Sequence, residues 1–464
     1  METYVLNPFG LDSIRGEECQ IVEHGPIAFR LYAALPEEIT GAAVRLKALN
    51  EPAHARPLGR NIEALHQAGL LWSDPSYPSR QEALKVLPIL SHLSLAMVER
   101  EMEEMCRLLH RETLYRWIER ELGSVQMMES WQENGDFLTH RQPRGLIFHN
   151  LSGNAFLLPA LCIIFGLLTK NTTLLKMATA EPYFGVRFAE SLREVSPEIA
   201  SDVGVLYWSA QDEACYHALF RQSLGAAVAW GDLRTVQNVS ALAGQYRTRF
   251  IDHGARFGIA VIDRITRQEL PQVVQSLARD IVPWEGYACI SPPFIFVVEE
   301  EVKALEFAEA LLASMESMRE ESDFQASFSR NSATIANREY YFFHLEAEGR
   351  GKVLTSGTLG STVVYSESPP TLKDLEFCAG QMVMVCRATE LESVYSALVN
   401  NGLGTHCQAA AFYGKGKTFL DRLTFAGISH ITKPGDLNAK EVGFSHDGLF
   451  NLQELTRLVT RSRL

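Results

Sequence analysis

Cys289 lies in the segment WEGYACISPP, between a helical stretch and an apolar strand-like run, with Gly286 before it and Pro292 and Pro293 after it. A loop thiol held by rigid flanks is exposed, and nearby backbone N–H groups lower its pKa, which is what a nucleophilic thiolate requires. The alternative is a buried structural cysteine. The chain has eight, at positions 19, 106, 162, 215, 289, 378, 386 and 407. The other seven sit in or beside runs that read as helix or strand, and they read as structural. None is spaced as CxxC or as a metal-ligand set, so the sequence implies no metal and a reducing compartment.

A second candidate is Asn154, in HNLSGNAFLLPALCIIFGLLTKNTTLLKMAT. A fixed side-chain amide donates to a developing oxyanion without carrying charge; the alternative is an asparagine that satisfies its own turn. Ser152 is expected to cap the helix that follows, with Pro159 near its first turn. His446, in His446-Asp447-Gly448, reads first as part of a polar turn before a terminal helix and second as a group that approaches the site. The stretch GLGTH at 402–406 is a candidate lining for a channel to the site.

These residues need elements to position them. From Arg144 onward, β-rich runs (GLIFHNL, NTTLLKM, VGVLYW, AAVAWG, FGIAVID) alternate with helical stretches at 155–169, 181–195, 211–222 and 233–243. That alternation predicts βαβ units and a parallel sheet, whose ligands bind at the carboxyl ends of the strands. From about 264 a second α/β unit is expected: a helix stopping at Pro283, the Cys289 loop, the strand FIFVV, a helix from about 302 to 318 and two strand-like runs in 351–390. Residues 1 to about 130 read as irregular, then helical, with Val98, Met102, Met105 and Leu109 at helical spacing and Gly123 as a stop. Residues 391–464 read as helix and loop.

Composition narrows the class. The 464 residues exceed one compact core and imply more than one domain. A net charge of −13 disfavours nucleic acid and anionic membrane as partners. The first residues lack a basic region followed by an apolar run, and Ala155 to Leu168 is too short for a bilayer span, so a cytoplasmic location is expected.

NTTLLKMATAEP resembles the NTVVLKPSE segment of the aldehyde dehydrogenase superfamily, and SGNAF falls at the spacing of that family's PWNFP. The chain resembles more closely the LuxC-type acyl-CoA reductases, the fatty-acid reductases of bacterial luminescence and their relatives. The features shared in order are Gly153-Asn154, GLLTKN, Lys176, AWG at 229–231, Asp280 ahead of Cys289-Ile290-Ser291-Pro292, and His446-Asp447-Gly448, over about residue 85 to the C-terminus.

The resemblance implies an α/β, aldehyde-dehydrogenase-like fold: a helical region and Rossmann-type cofactor domain over 1–250, a catalytic domain over 251–425, and a tail at 426–464 that returns to the first domain or to a partner subunit. It implies that Cys289 holds an acyl thioester and that Asn154, with the Cys289 N–H, forms the oxyanion hole. Lys176 falls where the family lysine bonds the adenosine ribose, with Ser152 and Gly231 beside the cofactor. Thr179 replaces a glutamate that repels a 2′-phosphate, so NADPH is expected, NADH remaining open. The implied substrates are acyl-CoA or an acyl-carrier or acyl-protein thioester. The implied partners are other copies of the chain and an acyl-protein synthetase or transferase.

There are departures. The glycines of the superfamily's cofactor turn are replaced in VLYWSAQDEA, and Asp232 follows Gly231. DHGARFG at 252–258 replaces ELGGK, so Asp252 or His253 stands near the position of the glutamate that activates hydrolytic water. Losing that glutamate fits acyl reduction, in which hydrolysis would destroy the intermediate. The rivals are an aldehyde dehydrogenase, which needs such a base, and a cysteine acyltransferase or thioesterase without nicotinamide, which a cofactor-binding measurement separates.

Overall fold

The computed structural model describes residues 2–11, 19–322, 328–356, 360–378, 382–439 and 441–463. Two parallel sheets carry the architecture. The first has five strands in the order Phe250–Gly254, Ala226–Gly231, Leu146–Asn150, Thr172–Lys176, Val203–Leu206, all parallel. Every residue of Leu146–Asn150 and Thr172–Lys176 is buried, as central parallel strands covered on both faces require. Their side chains alternate between two cores: Ile147, Leu175, Val228 and Ile251 face one, and Phe148, Leu174, Ala229 and Leu206 face the other.

The second sheet runs Gly351–Thr355, Thr362–Ser366, Met382–Ala388, Phe294–Val298, Phe257–Asp263, Cys407–Tyr413, His430–Thr432, with only the first pair antiparallel. The chain thus changes sheets between Gly254 and Phe257, and FGIAVID belongs to the second sheet rather than to the first α/β unit. Residues 391–464, read as helix and loop, contain three strands. The last, Thr456–Ser462, pairs antiparallel with Phe137–Pro143, which also pairs with Gln132–Asn134.

The expected helices are present at Leu158–Leu168, Phe184–Val195, Glu213–Phe220, Leu233–Gln245 and Leu270–Ile281. Val98, Met102 and Met105 are buried on one face of Leu95–Leu108, with Leu109 at its cap. Gly123 ends the next helix, Arg111–Leu122, with φ 89°. The irregular start instead forms a sheet of Glu2–Leu6, Ile27–Tyr32 and Cys19–His24. It is bridged to the edge of the five-stranded sheet through Phe9 and Val205 and through Ala33 and Tyr207. No described helix is long and apolar enough to cross a membrane.

Candidate active site

Helix Leu270–Ile281 hands the chain to the Cys289 loop through Trp284 and Glu285, both with positive φ. The loop is anchored at several points. Ser291 Oγ donates to the Asp280 carbonyl (3.2 Å), and the indole of Trp284 stacks on Phe156 with centroids 6.1 Å apart, joining the loop to the Asn154 segment. Gln408 Nε2, on strand Cys407–Tyr413, donates to the Cys289 carbonyl at 2.9 Å.

Asp280 explains why an acidic residue precedes the loop. Its buried carboxylate accepts the N–H groups of Gly435 (2.6 Å) and Leu437 (3.0 Å), clamping the segment that leads towards His446. Burial pushes its carboxyl up to about 7, against the pull of those N–H donors. Asp280→Ala strands two backbone donors and is expected to destabilise the fold by about 2–4 kcal/mol, measured by denaturant unfolding.

Among the cysteines with described side chains, Cys289 is the exposed one; Cys162, Cys215, Cys378, Cys386 and Cys407 are buried and Cys106 is half-buried. Cys289 is exposed, yet the groups packed around its sulphur strip most of its water. That desolvation, with the Asp447 carboxylate adding to it, pushes the thiol up to about 11, and Gln408 pulls the other way. A thiolate is therefore not preformed, contrary to the lowered pKa expected of the loop.

Facing the sulphur is His446, its Nε2 4.0 Å from Cys289 Sγ. The His446 ring stacks on His253 (4.6 Å, 23°), which stacks on Trp230 (4.1 Å, 19°). His253 Nδ1 meets Asp447 Oδ2 at 2.8 Å and its Nε2 meets Asn451 Oδ1 at 2.9 Å. His253, His446 and Asp447 bring ligand atoms within 4.8 Å of one another. Parallel stacked imidazoles do not aim their in-plane lone pairs at one ion, so this geometry does not suit a shared metal.

The strand Phe250–Gly254 carries both Asp252 and His253. Adjacent strand residues point to opposite faces, and it is His253 that stacks in the crevice. Asp252, expected as a catalytic carboxylate, turns the other way: its Oδ1 accepts from Gly254 N–H at 2.7 Å, and Arg256 lies 3.8 Å off. On the other face the strand presents His253, whose Nδ1 meets the Asp447 carboxylate.

Ser152 does not cap the following helix, whose first residue is Leu158. Its hydroxyl instead donates to Asn154 Oδ1 at 2.6 Å. The bond fixes the amide by its acceptor and leaves the exposed Nδ2 as a donor. Asn150 is buried on the other face and accepts from Tyr216 Oη at 2.8 Å.

Lys176 ends its strand buried, its ammonium making a long 3.5 Å bond to the Met177 carbonyl and lying 5.7 Å over the Trp208 ring. Burial lowers it to about 8. Thr179 is exposed and its hydroxyl bonds Tyr207 Oη (3.0 Å), which reaches Gln20 (3.0 Å). Gly231 has φ 141°, and a Cβ there would lie 3.8 Å from the Ser152 side chain. Asp232 caps helix Leu233–Gln245, accepting from Thr235 N–H at 2.8 Å. Cys289, His446, His253 and Trp230 thus form one wall, with Gly231, Ser152 and Asn154 next along it. Lys176 and Thr179 lie at the carboxyl ends of the neighbouring strands.

Two sheet units joined in this order, with a cysteine loop between helix and strand, share the fold of aldehyde dehydrogenases. The lactaldehyde dehydrogenase of Escherichia coli superposes with TM-score 0.70 at 12% identity, covering 98% of this chain and 99% of that one. A glyceraldehyde-3-phosphate dehydrogenase from Methanocaldococcus jannaschii, complexed with NADP, superposes with TM-score 0.70 at 14% identity, covering 93% and 95%. Within that class, the chain belongs to the acyl-CoA reductase (LuxC) family, whose model matches residues 53–458. A long-chain acyl-protein thioester reductase from Aliivibrio fischeri is 22% identical over 423 residues, 88% of this chain and 82% of that protein.

Proposed function

We propose that the chain reduces a long-chain acyl thioester to the aldehyde, with Cys289 carrying the acyl group. The observation that supports this best is the exposed Cys289 in its loop, with His446 Nε2 4.0 Å from its sulphur. The thiol attacks the thioester carbonyl, the oxyanion is met by Asn154 Nδ2 and the Cys289 N–H, and the donor thiol leaves. A nicotinamide cofactor, when bound, supplies the hydride that turns the thioester into an aldehyde.

The adenosine end fits such a cofactor. Lys176 is a buried cation whose bond within the protein is long, so its donors are available to ribose hydroxyls. Thr179 offers a neutral hydroxyl where a carboxylate would repel a 2′-phosphate. The Asp232 carboxylate sits at the helix N-terminus that would otherwise attract the pyrophosphate, so Gly231 and Ser152 carry the approach on that side. Lys176→Ala is expected to weaken NADPH binding roughly 10-fold or more, the worth of a charged hydrogen bond, and to leave Cys289 acylation intact. Fluorescence titration with NADPH and NADH checks both this and the preference for NADPH. An NADH preference of about tenfold overturns the reading of Thr179. The function itself is tested by offering acyl-CoAs of graded chain length, and acyl-proteins, with NADPH and identifying the aldehyde by mass spectrometry.

A further inference from the structure

The wall behind the Cys289 thiol is more elaborate than acyl carriage by itself requires. His446 is held in a stack of rings and by its own turn. Its ring lies on His253; His253 lies on Trp230; and Trp230 Nε1 donates to the buried His149 at 3.4 Å, which fixes the indole. Asp447 and Asn451 grip the two nitrogens of His253. The backbone places His446 in a tight turn: it exchanges both hydrogen bonds with Leu449 at 2.8 Å, while Asp447 and Gly448 take φ 53° and 79°. The Asp447 N–H also approaches Gln408 Oε1 (3.4 Å), whose amide nitrogen holds the Cys289 carbonyl. One side chain therefore ties the histidine turn to the nucleophile's own backbone.

Resting on the reading of Cys289 as the acyl carrier, we propose that His446 is the base that takes the Cys289 proton during acylation and returns it to the departing thiol. Trp230, His253 and Asp447 act as positioning residues that hold its ring against the sulphur.

The chemistry needs such a group. A thiol pushed up to about 11 supplies almost no thiolate at neutral pH, so the proton must be removed as the attack occurs. His446 is lowered to about 4, chiefly by burial and then by the neighbouring His253, with Arg256 adding to this and Asp447 opposing it. Its ring is therefore neutral, with a lone pair available, throughout the physiological range. The gap between the two groups means that no stable thiolate–imidazolium pair forms. Transfer is concerted with carbon–sulphur bond formation, which is general base catalysis.

The steps balance. The Cys289 Sγ–H bond breaks towards His446 Nε2 as Sγ bonds the thioester carbon, and the carbonyl electron pair moves to oxygen. Collapse breaks the bond to the donor sulphur, which leaves with the proton from His446. A nicotinamide held beside Cys289 would supply the hydride, and collapse of the resulting oxyanion would break the Cys289 Sγ–carbon bond and release the aldehyde. The sulphur regains a proton, drawn from solvent, so one proton is consumed per turnover together with one hydride.

The test measures acylation alone, without nicotinamide, by mixing the full-length chain with a long-chain acyl-CoA and following acyl-enzyme by intact-protein mass spectrometry. His446→Ala and His446→Gln are expected to slow acylation roughly 10²-fold, the lower end for a lost general base. Added imidazole is expected to restore part of the rate to His446→Ala in proportion to its unprotonated fraction, because it occupies the vacated space and acts as the base. A merely structural histidine would give no such dependence. Acylation of His446→Ala at the wild-type rate, or a fall that imidazole leaves untouched, overturns the proposal. Cys289→Ala run in parallel separates the two readings: if it takes no acyl group, the role of Cys289 stands whatever His446 does. If it is acylated like the wild type, both fall together.

Discussion

Cys289→Ala is expected to abolish aldehyde formation and covalent labelling by acyl-CoA together, because no thioester forms without the sulphur. The structure sharpens this expectation. The remaining cysteines with described side chains are buried or half-buried, so an acyl thioester reaches none of them as it reaches Cys289. Cys378 comes nearest to an alternative, since its sulphur meets Tyr341 Oη at 3.3 Å, but that contact lies inside the core of the second sheet. Cys289→Ser is a useful companion: a hydroxyl preserves the packing of the crevice yet is far less nucleophilic. Peptide mapping after acyl-CoA treatment locates the label; label on another cysteine in Cys289→Ala moves the nucleophile elsewhere.

Four strands of the five-stranded sheet were legible because they are buried almost throughout and appear in the sequence as largely apolar runs between polar turns. The fifth, Phe250–Gly254, is polar and half-buried, and FGIAVID was read in its place. Strands of other chemistry were not. Cys407–Tyr413 is built around three alanines, residues with little strand preference, and it forms because neighbours on both sides pair with it. Thr456–Ser462 is an edge strand with two arginines, two threonines and a serine around only Leu458 and Val459, so no apolar pattern marks it in the sequence. At the site, Cys289 and Asn154 stood out from their local setting, as a loop thiol between prolines and an amide after a strand. His446 read first as a turn residue, and it does occupy a turn. Its approach to a sulphur 157 residues away has no local signature. Trp230, Gln408 and Asn451 carried no signal for the same reason: each acts through a partner far along the chain. The choice between Asp252 and His253 turned on the phase of one strand, where a shift of one residue exchanges the faces.

Asn154→Ala is expected to lower the rate by roughly 10²- to 10³-fold, with little change in apparent acyl-thioester affinity. An oxyanion donor acts mainly where negative charge has developed, and acylation and reduction both pass through a tetrahedral oxyanion, so both steps should slow. The local geometry favours donation: Ser152 Oγ already occupies Asn154 Oδ1 at 2.6 Å, which turns the NH₂ group outward and keeps it from bonding its own turn. Ser152→Ala should therefore show a smaller loss of the same kind, by releasing the amide from its fixed orientation. Asn150 is the control. It is buried, accepts from Tyr216 Oη at 2.8 Å and faces the opposite core, so Asn150→Ala is expected to cost stability rather than transition-state binding. Single-turnover acylation and hydride transfer, measured beside thermal unfolding, tell the two apart. If Asn150→Ala lowers the chemical rate while Asn154→Ala changes only stability, the donor assignment passes to Asn150.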